Sequence, residues 1–97
     1  MNHVMLAKFK PEYTKEQIAE MFTDIKAIYE HAREIPGIHD VIYHTNCIDR
    51  PNRYDISVTL VMDEDALPEW DKCKWHKQCK DEYGDMLEAK CIFDYED

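Results

Sequence analysis

Basic residues are scarce: 12 Lys and Arg stand against 21 Asp and Glu, a formal charge of −9 and a pI near 4.9. That balance argues against a protein that grips a phosphate backbone or an anionic membrane surface. Long apolar runs are missing too. None approaches the ~20 residues of a membrane span. The first residues hold no basic segment followed by a hydrophobic stretch, so no secretory signal is read there. The expectation is a cytoplasmic protein whose four cysteines, Cys47, Cys73, Cys79 and Cys91, are reduced thiols. Metal-ligand spacing is also lacking. Cys73 and His76 share a helical face, Cys79 rotates partly away, and no second ligand pair follows, so no metal is expected. Internal repeats, low-complexity tracts and linkers are absent, and residues 1–97 read as one domain.

What is present is enough apolar material for a core, at 44% of the chain. Residues 3–9 alternate as a strand. His3, Met5, Ala7 and Phe9 point one way, Val4, Leu6 and Lys8 the other. Thr14 and Gln17 form a capping box before a helix whose apolar stripe is Ile18, Met21, Phe22, Ile25, Ile28, Tyr29 and Ala32. Pro36-Gly37 ends it. Strands are predicted over 39–45, 54–62 and 90–95, the second of these with Ile56, Val58 and Leu60 in one row. A short helix starts near Asp63, or later because Pro68 fits only its first turn. A second helical stretch carries Trp75, Cys79 and Tyr83, and Gly84 weakens its end.

Strand, helix, strand, strand, helix, strand is the order of an α+β, ferredoxin-like βαββαβ domain. Two helices cover only one face of its sheet. The other face would present Val4, Leu6, Cys91, Phe93 and Tyr95, and an apolar face of that size calls for a second copy of the chain. A homodimer is therefore expected, closing into an α/β barrel.

The runs His3–Lys10, Ile35-Pro36-Gly37, Tyr54-Asp55-Ile56, Asp65-Ala66-Leu67 with Trp70 and His76, and Ile92-Phe93-Asp94-Tyr95 resemble the stress-responsive dimeric α/β-barrel family over nearly the whole chain. The resemblance implies a homodimeric barrel with a cavity in each subunit between sheet and helices. It also implies chemistry like that of plant polyketide cyclases, which use no metal or organic cofactor. Their histidine base carries over to His76, and the histidine of their first strand to His3. Their helix tyrosine is replaced here by Trp70, and their third-strand histidine by Ile56. Lys90 stands where an apolar residue is usual. Half of that machinery is absent, so the same substrate is not expected.

The residues themselves leave several readings open. His76 has an imidazole suited to proton abstraction beside a carbonyl, and it sits among Lys74, Lys77 and Lys80. Tyr29 either presents a phenol to the cavity or is a core aromatic. Trp70 either stacks a ligand or plugs the core. Met5, Ile56 and Val58 are expected along the cavity wall, with Lys90 at its strand-four side. His3, Trp70 and His76 are expected to converge on one small-molecule site. The leading function is cofactor-independent, cyclase- or lyase-like chemistry on a carbonyl-bearing or aromatic metabolite. The alternatives are a non-catalytic ligand-binding or stress dimer, and a monooxygenase or haem-degrading enzyme built on Asn2, Trp70 and His76.

Overall fold

Four antiparallel strands carry the computed structural model, which describes residues 1–97. β1 spans Asn2–Phe9, β2 Ile38–Thr45, β3 Ile56–Met62 and β4 Leu87–Tyr95. Helix α1 spans Lys15–Tyr29, α2 Leu67–Lys72 and α3 Lys74–Tyr83. The strands lie in the order β2-β3-β1-β4. Each helical connection thus skips one intervening strand, which is the ferredoxin-like α+β arrangement. No helix is long and apolar enough to cross a membrane.

Alternation along the strands decides what is buried. Met5, Ala7 and Phe9 of β1 and Ile56, Val58, Leu60 and Met62 of β3 form the buried row. Helix α1 brings Phe22, Ile25 and Tyr29 onto it, and α2 adds Trp70. Each large side chain so covered contributes roughly 1.5–3 kcal/mol. The opposite row is different. Val4, Leu6 and Val61 are only partly covered, Phe93 is 61% exposed and Tyr95 43%. None of these belongs to the core cluster.

Element ends follow tertiary partners more than local pattern. The Thr14 capping box forms, with its side chain accepting from Gln17 N–H at 3.1 Å and Gln17 Oε1 accepting from Thr14 N–H at 2.8 Å. Helix α1 stops at Tyr29 and tightens into a 3₁₀ turn over Glu30–Glu34. Ile35 is extended, as a residue before proline prefers. Gly37 then takes φ +94°, and a Cβ there would meet Ala66 Cβ at 3.0 Å. β3 starts at Ile56, two residues later than its pattern suggests, because the Asp55 carboxylate accepts from Phe9 N–H at 2.7 Å. β4 starts at Leu87, three residues earlier, because β1 offers a partner as far as Phe9. The residues after Asp63 form a 3₁₀ turn, and α2 begins only at Leu67, with Pro68 in its first turn.

Candidate functional site

Cys73 breaks the second helical stretch in two. Its backbone is extended, and its Sγ accepts from His76 N–H at 3.4 Å, capping α3. His76 therefore sits in the first turn of α3. Cys79, Lys80 and Tyr83 follow at three, four and seven residues, on the same face. That face overhangs Met5 and Ala7 of β1 and Ile56 of β3. Ile25 and Tyr29 of α1 close one side, and Gly84 with Leu87–Lys90 closes the other. Together these residues line a half-open cavity of about 370 Å³, within the size range of small-molecule sites. Lys80 of α3 and Glu88 and Lys90 of β4 are the exposed charged residues of its lining.

His76 is half-buried and lines the cavity. Its Nδ1 lies 3.2 Å from the Asp71 carbonyl oxygen. A carbonyl only accepts, so Nδ1 carries the proton and the neutral ring keeps its lone pair on Nε2. Burial holds the imidazole below its ordinary pKa, and the Lys90 and Lys80 charges push the same way, against the Asp71 hydrogen bond. The ring leans on Trp70 at 5.1 Å between centroids, and Trp70 leans on Tyr29 at 5.1 Å. Tyr29 is buried, lines the cavity and takes no hydrogen bond from the protein on its hydroxyl. Burial, with the Cys79, Tyr43 and Cys73 groups adding to it, raises its phenol far above the usual value. Burial pushes the Cys79 thiol up to about 11. Both groups therefore stay protonated near neutrality.

Of the residues singled out in the sequence, His76, Tyr29, Met5, Ile56 and Lys90 meet in this cavity. Trp70 and Val58, each 1% exposed, do not line it; Trp70 backs the His76 and Tyr29 rings instead. His3 is buried on the helix side of the sheet, but outside the cavity, with its Nδ1 hydrogen-bonded to the Asp94 carboxylate. Asn2 has the opposite strand parity, so Asn2, Trp70 and His76 do not surround one space. Lys90 is exposed, so its amine lacks the desolvation a Schiff-base lysine needs. No group of three or more His, Cys, Asp or Glu side chains is placed to hold a metal. Lys80 and Tyr83 were not singled out as site residues. The signal was their spacing from His76, which is hidden where the helix boundary at Cys73 is not seen.

A wider groove of about 860 Å³ lies between the start of α1 and the loop from β2 to β3. It gathers Lys8, Lys10, Lys15, Lys26, Arg50 and Arg53, half of the chain's cations, but no histidine. The smaller cavity is the one that a histidine lines.

The family described as the stress responsive A/B barrel domain matches residues 1–97. The chain belongs to that family. Solved structures share the A/B barrel chain's fold. A dimeric protein of ferredoxin-like fold from Bacteroides fragilis has a TM-score of 0.81 at 17% identity, over 99% of this chain and 94% of the other. A dimeric ferredoxin-like protein from Thermobifida fusca has 0.76 at 16%, over 95% and 85%. The hydroxynitrile lyase of Passiflora edulis has 0.71 at 15%, over 97% and 89%. At these identities the likeness is one of fold. No curated protein matches the A/B barrel chain.

Proposed function

We propose that this A/B barrel protein is a homodimer that performs cofactor-independent proton-transfer chemistry, of cyclase or lyase type, on a small carbonyl-bearing or aromatic molecule. The observation that carries the reading is the His76 ring, set in a mostly apolar cavity open on one side, with Nδ1 tied to the Asp71 carbonyl. Nε2 is then the base. It removes a proton from carbon beside the substrate carbonyl, and the resulting enolate oxygen accepts a hydrogen bond from the neutral Tyr29 phenol. A lowered imidazole pKa keeps the base form available at neutral pH. The fold hosts catalysis elsewhere, since the similar Passiflora edulis structure is that of a lyase.

Assembly is supported by the uncovered sheet face, where Phe93 and Tyr95 stand 6.0 Å apart between ring centroids. The similar Bacteroides fragilis and Thermobifida fusca proteins are described as dimeric. Small molecules released from gently purified protein, identified by mass spectrometry, give the substrate to test. His76→Ala should lower its turnover by about 10²-fold or more while the sedimentation of the assembly is unchanged. Activity should rise with pH through a value below the ordinary imidazole pKa of about 6.5 and then level off. Turnover untouched by His76→Ala would remove the catalytic assignment and favour a protein that only holds its ligand.

A further inference from the structure

Two lysines stand at the mouth of the His76 cavity, and neither has a carboxylate partner. Lys80 comes from α3 and Lys90 from β4, and both line the cavity. Four of the other seven lysines have carboxylate partners, Lys8 with Glu88, Lys15 with Asp49, Lys72 with Glu69 and Lys77 with Asp81, while Lys26 and Lys74 lie over the Phe22 and Trp75 rings; Lys80 and Lys90 are the two that line this cavity. The one carboxylate in the cavity lining is Glu88, and it lies 3.8 Å from the Lys8 amine. In a chain where acids outnumber bases by 21 to 12, two unpaired cations facing one cavity run against the overall charge. An apolar wall behind them strengthens their field at the opening.

We propose that the molecule taken by this cavity is a small organic acid. Its carboxylate seats at the Lys80 and Lys90 ammonium groups, and its apolar or aromatic body lies against Met5, Ala7 and Ile56. The assignment rests on the His76 proton-transfer reading for the site's use, but the charge argument stands on the two lysines alone. A bound carboxylate also acts on the base. It neutralises the charges that press on the imidazole, so His76 becomes more basic when the acid is seated.

Phenylacetate and its neutral amide, phenylacetamide, are suitable probes of equal shape. Titration calorimetry on the wild-type protein should show phenylacetate binding about tenfold tighter or more, since a charge-assisted pairing exceeds a neutral one. The Lys80→Met, Lys90→Met double variant should lose that preference and keep its affinity for the amide. The Lys80→Arg, Lys90→Arg variant should retain the preference. The His76 ring resonances should titrate at higher pH with phenylacetate than without it. Equal affinity for the two probes, a preference that survives the double Met variant, or no binding of phenylacetate at about 20 mM would each overturn the proposal. Lysine-dependent acid binding with turnover untouched by His76→Ala would leave this site standing and remove the proton-transfer reading. The reverse pattern would do the opposite.

Discussion

Along β3, the side chains that face the helices and those that face away alternate residue by residue, yet they live in different media. Ile56, Val58, Leu60 and Met62 are buried, while Ser57, Thr59 and Val61 between them are only partly covered. The contrast sharpens on β4, where Phe93 is 61% exposed opposite Val4 of β1. Phenylalanine is far more apolar than Ala7, which is 1% exposed on the other face. Exposure here follows the layer that covers the residue, not the residue's own hydrophobicity. One face has α1, α2 and α3 upon it; the other has no layer from its own chain. In the proposed dimer, a second copy is that layer.

The largest effect that tests the contrast belongs to Phe93→Asp. If a partner covers this face, the change buries an unpaired carboxylate in each protomer, at a cost of several kcal/mol. Analytical ultracentrifugation at micromolar concentration should show the wild-type chain at twice its 11.6 kDa mass and the variant as monomer or unfolded chain. A wild-type monomer, or a variant that sediments as the wild type, would leave the open face simply solvated.

Leu60→Ala comes next. It removes a fully buried side chain from the covered face and should cost about 2–5 kcal/mol in urea unfolding. Val61→Ala, one residue along the same strand, should cost clearly less. Equal losses at the two sites would mean that the two faces are packed alike.

The smallest effect is a pH slope set by His76 on the covered face. Its folded pKa is lowered, chiefly by burial. The unfolded chain therefore binds a proton first as pH falls. The stability associated with this group is full above the unfolded value of about 6.5 and is lost as pH drops through the folded value. Thermal melts across that window should show a smaller acid-side loss in His76→Gln than in the wild type. An unchanged slope would mean that the imidazole is hydrated in the folded state.

Several elements could be read directly because their causes are local. The Thr14–Gln17 box needs only residues three apart, and both of its hydrogen bonds form. The apolar rows of β1 and β3 need only a period of two. The start of β4 at Leu87 was not readable, because it depends on the reach of β1 across the sheet. Nor was the break at Cys73, where a thiol rather than a hydroxyl or carboxylate caps the helix. In the site, His76 and Tyr29 could be named from residue type and helical stripe. The bond from Nδ1 to the Asp71 carbonyl joins a helix to the end of the preceding one and has no pattern of its own.

By itself the sequence determined the element order, the apolar rows and the acidic balance, since each follows from periodicity, capping or composition along the chain. Only the tertiary structure decided which side chains meet. It placed Trp70 behind His76 rather than along the cavity wall, gave His3 to Asp94, and brought Lys80 and Lys90 to one opening from different elements. The reason is physical: a strand or helix stripe fixes which way a residue points. How the layers cross and where the helix breaks fix what it points at.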